Sequence, residues 1–357
     1  MKNNADVAAE APGNAPAWPG VDGHCDTLWG IVERGGRLRD PQPGLQIDLP
    51  RLRAGGVDLQ VFACCPFSTR PWIALNGRVG ARGVAAMFDR LLSEAEAPDA
   101  AVKLIKTRAD VEELADWVEA GRPDGRPRVS ALLALEGGEG LEGDLLWLRT
   151  FHRLGLRLLT LTHSDPNELA DGVNLGDKAR GLTPFGRAVV SECRRLGIVI
   201  DVAHLAPAGF WEVLDLARDA AVGGDDGPPF PVVASHAGAK AVFDHPRNLT
   251  DDQARAIAAT GGLVGVCFVP QFLNADAPKA CLEDALDHLD HFVRLVGPDH
   301  VGLGSDFDGV DFPVKGLESP AGRPGLVAGL KRRGYGDEVI GKVMGRNWLR
   351  VLAAVLP

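Results

Sequence analysis

Seven side chains able to bind a cation or move a proton fall at the ends of short apolar runs. His24 and Asp26 stand one residue apart in "VDGHCDTLWG" (21–30), with Cys25 between them. Glu136 closes "RVSALLALEGG" (128–138), His163 "LRLLTLTHS" (156–164) and His204 "GIVIDVAH" (197–204). His236 closes "PVVASHA" (231–237), and Asp306 sits in "HVGLGSDFDG" (300–309). Neutral imidazoles and ionised carboxylates are ligands for Zn2+ and similar divalent ions. The candidate ligands His24, Asp26, Glu136, His204, His236 and Asp306 exceed what one tetrahedral site uses. A carboxylate such as Glu136 can bridge two ions. Two metals about 3.5–4 Å apart can hold a hydroxide between them and polarise a carbonyl, which is the machinery of metal-assisted hydrolysis. Asp306 is the candidate for shuttling the proton.

Each residue alone has a plainer role. A strand-end histidine is more often a hydrogen-bonded structural residue. Glu136 could cap a turn in "LEGGEG", leaving Glu139 as the functional acid, and Asp306 with Asp308 could form a Ca2+-like loop pair in "GSDFDG". A Cys25 thiolate nucleophile is a further rival, but no independent base orients it, and neighbours on a strand face opposite sides. The joint pattern favours metal, because so many independent accidents at one rim are improbable.

Positioning these residues requires strands that end together. Apolar runs rich in Val, Ile and Leu recur at 18–26, 56–65, 128–138, 156–164, 197–204, 231–237, 261–270 and 300–309. Several lack strict alternation, as expected of strands covered on both faces. Helix-like segments separate them, among them "TPFGRAVVSECRRLG", "TDDQARAIAATGG" and "CLEDALDHLDHFVRLVG". Thr183–Pro184 and Thr250 read as helix starts, Gly197 and Gly261 as stops. Strand and helix alternating eight times predict a (β/α)8 TIM-like barrel, whose strand ends converge on one face. The doubly wound open sheet is the runner-up. A polar, Ala/Pro/Gly-rich lead-in at 1–17 precedes a single domain over 18–357.

With 357 residues, 45% of them hydrophobic, the chain can bury a large core. A formal charge of −10 disfavours nucleic acid and anionic membranes as partners. Six cysteines without a CxxC pattern suit reduced thiols in a cytoplasmic protein. The opening residues lack the apolar core of a secretory signal, and no run approaches the roughly 20 apolar residues that span a bilayer. The terminal "WLRVLAAVLP" reads as the end of a packed helix.

From residue 20 to the C-terminus the chain resembles the renal (membrane) dipeptidase family of the amidohydrolase superfamily, in its bacterial cytoplasmic branch. The resemblance rests on "VDGHCD", "ALEGGEGL", "LTLTHSDPNELADG", "GLTPFGRAVVSECRRLGIVIDVAHL", "VVASHAGAK", "DHPRNLTDDQ", "VGLGSDFDG" and "GRNWLRVL". It implies a barrel with two zinc ions that hydrolyses dipeptides, including an L-residue followed by a D-residue. It further implies that His24 and Asp26 hold one metal, Glu136 bridges both, and His204 and His236 hold the second. Asp306 would lie beside the first metal as the proton-transfer group. His163 would contact the scissile carbonyl oxygen, and Arg247 in "HPRNL" would pair with the substrate's free carboxylate. A guanidinium fork suits that last task.

The chain departs from the family pattern at Cys25, where Asn is usual, and at Cys267 and Val269, where "GVCFVP" replaces a motif resembling "GVNFY". After His236 a serine-rich turn becomes "AGAK". The ligand set is untouched, so these changes bear on side-chain specificity. An amidohydrolase acting on an N-acyl amino acid or a lactone is the alternative enzyme, and a non-catalytic barrel the alternative to an enzyme. Manganese or cobalt could replace zinc chemically. The oligomeric state, a homo-oligomer included, is open.

Overall fold

The computed structural model describes residues 16–65, 80–100, 102–125, 129–219 and 230–357; most of the 1–17 lead-in lies outside them. Eight parallel strands follow one another around a nearly closed barrel. They are β1 (Val21–Asp22), β2 (Leu59–Cys64), β3 (Ser130–Glu136) and β4 (Leu156–Thr160). The circuit continues through β5 (Val199–Asp201), β6 (Val232–Ala237), β7 (Leu263–Val266) and β8 (Val301–Leu303). A further two-residue strand, Lys103–Leu104, pairs with β3 outside this circuit. It falls in no predicted run.

Every residue of β2, β3 and β6 is buried, which is why these segments read as apolar on both faces. Inward-facing Leu59, Val61, Leu132, Leu158, Val199, Val233 and Leu263 fill the barrel, while a larger cluster packs the strands against the outer helices. The helices begin and end as their sequences require. The Gly186 N–H donates to Thr183 Oγ1 at 2.9 Å, and Thr250 and Gln253 cap each other reciprocally. Gly197 and Gly261 follow their helices with φ of 69° and 81°.

The seam between the first and last strands closes by backbone bonds past their regular ends. The Gly23 N–H donates to the Leu303 carbonyl at 2.9 Å, Asp306 N–H to His24 O at 3.1 Å, and Asp26 N–H to Phe307 O at 2.9 Å. Trp348, from the C-terminal helix Asn347–Val355, enters the bottom of the barrel and donates Nε1–H to the Leu303 carbonyl at 2.8 Å. A side chain on Gly23 would put its Cβ 2.0 Å from the Trp348 ring. The glycine beside His24 is therefore fixed by a residue near the other end of the chain.

The expected first run, 18–26, is mostly not strand. Only Val21–Asp22 pair regularly, and the chain turns after them so that Asp26 takes the N-cap position of helix Thr27–Arg34. Cys25 is wholly buried in the outer core and bridges to Phe307.

Candidate active site

Glu136 is the last residue of β3, and its carboxylate forms the middle of a buried cluster at the C-terminal rim. Glu136 Oε1 lies 3.6 Å from His24 Nε2, 3.2 Å from His204 Nε2 and 3.6 Å from His236 Nε2. Ligands 2.0–2.1 Å from a tetrahedral ion stand about 3.3 Å apart, so this spacing suits atoms that share a cation. On the β1 side, His24 Nε2 is 3.9 Å from both Asp26 Oδ1 and Asp306 Oδ1. Among the described residues three sets have ligand atoms mutually within 4.8 Å: His24–Glu136–His236, Glu136–His163–His204 and His24–Asp26–Asp306. All seven rim residues singled out in the sequence belong to this one constellation.

The electrostatics suit a cation. Burial pushes His204 and His236 well below the ordinary histidine value, which leaves them neutral with a lone pair to offer. Burial works against the Glu136 carboxylate too, yet His24 and His204 hold it well below the usual range. Burial alone would depress His24, but Glu136, Asp26 and Asp306 overcome it and push it up to about 10. The buried His24 Nε2 has no hydrogen-bond partner. A polar atom wholly removed from water and left unbonded is costly, and a metal ion would satisfy it. The donor set fits one.

Two of these residues are held in strained backbone. His204 has φ 65° and Asp306 φ 64°, in the left-handed region that non-glycine residues rarely adopt, at a cost of about 1–3 kcal/mol each. Both lie just beyond their strands, where the chain bends to bring the side chain over the barrel mouth. Asp308 (φ 68°) points elsewhere: it accepts the Thr27 hydroxyl at 2.6 Å and the Ile47 N–H at 3.3 Å. Asp306 and Asp308 thus part company, against a Ca2+-like pair. Glu139 also stands outside the three ligand sets; burial pushes it up to about 7 while Asn167 Nδ2 donates to it at 3.3 Å.

His163 is half-buried, its ring stacked on His204 with centroids 4.3 Å apart, and burial keeps it below its ordinary value. Arg247 is buried beside the cluster. Its Nη2 donates to the His236 carbonyl at 3.3 Å, its guanidinium carbon lies 5.2 Å from the Phe272 ring centroid, and its Nε has no partner. His245 Nδ1 accepts the Arg247 N–H at 3.2 Å and helps set that turn. A buried guanidinium with a neutral carbonyl and an aromatic face as neighbours is suited to an incoming carboxylate. Reasoning from the sequence missed the residues behind the imidazoles, chiefly Ser164, Asp201 and Ser235.

The loop after His236 rests on His288 of helix Leu282–Val296. His288 Nδ1 accepts the Ala239 N–H at 2.8 Å, and burial pushes its pKa down to about 4. In the unfolded chain a histidine charges near 6.5. This depressed value stabilises the fold fully above pH 6.5, and that stability drains away as pH falls from 6.5 toward 4. The loss is roughly 1.4 kcal/mol per pH unit, about 3 kcal/mol in all. In urea unfolding at pH 7, 5.5 and 4.5, the advantage of wild type over His288→Asn is expected to shrink progressively, by about 2.5 kcal/mol between pH 7 and pH 4.5. A constant difference would refute the assignment.

A parallel barrel with imidazoles and carboxylates gathered at its C-terminal rim defines a hydrolase of the metal-assisted kind. Residues 15–356 match the family Membrane dipeptidase (Peptidase family M19), and the chain belongs to it, among hydrolases that act on peptide bonds. Dipeptidase tcpJ of Claviceps purpurea (strain 20.1) is 32% identical over 313 residues, 87% of this chain and 69% of that protein. A metallopeptidase of Rhodobacter sphaeroides, solved with a phosphinate mimic of the dipeptide L-Ala-D-Ala, superposes with a TM-score of 0.81. It is 31% identical, over 95% of this chain and 99% of that one. The probable dipeptidase PvdM of Pseudomonas aeruginosa shares the fold at TM-score 0.78 and 21% identity, over 95% and 96% of the two chains. Among the described residues no helix is long and apolar enough to cross a membrane.

Proposed function

We propose that this chain hydrolyses dipeptides, L-Xaa-D-Xaa among them, at a centre of two divalent ions, most plainly Zn2+. The observation that carries the proposal is the convergence of three Nε2 atoms, from three different strand ends, within 3.2–3.6 Å of one Glu136 oxygen. His24 and Asp26 would hold one ion with Asp306 beside it, His204 and His236 the other, and Glu136 both. When bound, the ions would activate the attacking water and polarise the scissile carbonyl. The L-Ala-D-Ala mimic held by the Rhodobacter relative supports the stereochemistry.

The protein's own groups do the rest. Arg247 receives the substrate's terminal carboxylate through its fork of donors, which sets the scissile bond over the cluster. His163, kept neutral by burial, donates an N–H to the carbonyl oxygen as negative charge develops there. Asp306 accepts a proton from the attacking water and passes it to the leaving amine. Metal analysis of the purified protein with a kinetic screen of L-Xaa-D-Xaa and L-Xaa-L-Xaa dipeptides tests the proposal. About two ions per chain and cleavage within the panel are expected. A metal-free protein that cleaves no member would end it.

A further inference from the structure

Behind the ligands lies a buried hydrogen-bond chain that the catalytic reading does not use. Asp201 ends β5 and Ser235 immediately precedes His236 in β6; both are wholly buried. Asp201 accepts four hydrogen bonds. Its Oδ1 takes the N–H groups of Ala203 (3.0 Å) and Ser235 (2.8 Å). Its Oδ2 takes the hydroxyls of Thr160 (2.5 Å) and Ser235 (2.6 Å). The single hydroxyl proton of Ser235 is thereby committed to Asp201, and Ser235 Oγ has only lone pairs left to offer.

His236 Nδ1 stands 2.8 Å from that oxygen, so it must be the donor in this contact. Its lone pair then sits on Nε2, the atom that faces Glu136. His24 Nδ1 approaches the same Oγ at 3.5 Å, and the two imidazoles lie with centroids 3.9 Å apart. His204 Nδ1 has its own partner, Ser164 Oγ at 2.9 Å, while its Nε2 meets the His236 Nε2 lone pair at 2.8 Å. The geometry points to Ser235, oriented by Asp201, as a positioning residue shared by the two ion sites: one hydroxyl sets the tautomer and tilt of one imidazole for each ion. This rests on the two-ion centre proposed above. It differs from the usual pairing of one ligand with one supporting group.

Two substitutions pull the roles apart. Ser235→Ala removes the shared acceptor. Asp201→Asn keeps the shape but puts an NH2 where Oδ2 stood, so that it donates to the Thr160 and Ser235 oxygens. The Ser235 hydroxyl must then turn toward His236 Nδ1, which drives the ring proton onto Nε2 and blocks ligation. Zn2+ retention is read by chelator competition and metal analysis on chains whose fold is checked by circular dichroism. In Ser235→Ala both ions are expected to bind about 10- to 100-fold more weakly, the usual cost of losing a supporting contact. Asp201→Asn is expected to lose more. Visible spectra of the Co2+-loaded proteins should change with each variant.

Wild-type affinity for both ions in Ser235→Ala overturns the inference, and weakening of one ion alone overturns the sharing. Unaltered binding in Asp201→Asn overturns the part given to Asp201; if that variant does not fold, Ser235→Ala still decides. A wild-type chain that takes up no metal ends both this inference and the two-ion centre. Wild type that binds two ions but cleaves no dipeptide defeats only the substrate reading.

Discussion

Replacing Glu136 with glutamine is expected to strip the centre of at least one ion and to lower kcat/KM for a dipeptide by about a thousandfold or more. The size follows from what is lost: ions that polarise a carbonyl contribute several kcal/mol, and about 4 kcal/mol is a factor of a thousand in rate. The direction follows from position. Three imidazoles converge on one oxygen of Glu136, and among the described residues it is the one carboxylate that faces His24, His204 and His236 together. Glutamine preserves the shape but removes the negative charge, and it can turn an NH2 toward nitrogen lone pairs that need a cation. Glu136→Asp keeps the charge and withdraws it by one methylene, so it should retain metal better than glutamine while still losing rate. Steady-state hydrolysis and metal content measured on the same samples check this. A glutamine variant with its full metal complement and more than a tenth of wild-type activity would show that Glu136 does not bridge.

The rim was legible in the sequence because seven charged or imidazole side chains close apolar runs together, although any one of them alone has a plainer structural use. Glu136, His204 and His236 stand where their runs end. Strand lengths were less legible: β1, β5 and β8 have only two or three paired residues, because the chain leaves the ladder early to aim His24, His204 and Asp306 over the barrel mouth. Apolar composition continues past the last ladder bond, so it cannot mark where pairing stops. The side strand Lys103–Leu104 is too short and too half-buried to carry any pattern.

Ser235 was hidden for a sharper reason. Strict alternation puts it on the face opposite His236, yet both side chains meet through one hydrogen bond. The register of β6 against β7 shifts between Ala234 and Ala237, and such irregularities re-aim side chains next to active sites. Gly23 was legible as part of a motif but not as a physical necessity, since the Trp348 ring that demands it arrives from the last helix. Local pattern reports what a residue is. Long-range packing decides what it is for.

Removing the guanidinium of Arg247 should cost about 3 kcal/mol, roughly a hundredfold in kcat/KM, and mostly through KM. A carboxylate held equally in the bound substrate and in the transition state contributes uniform binding, whose loss raises KM more than it lowers kcat. Arg247→Lys keeps the charge but not the fork, so it should fall between wild type and Arg247→Ala. Because Arg247 also donates to the His236 carbonyl, the alanine variant could lose activity by disturbing His236 instead. Two measurements separate these causes. Metal content should equal wild type if the guanidinium serves the substrate. Dipeptide amides, which lack the terminal charge, should be turned over poorly by wild type and no worse by the variant. If Arg247→Ala instead loses dipeptides and their amides by the same factor, Arg247 supports the metal centre rather than the substrate, and the carboxylate must be recognised elsewhere.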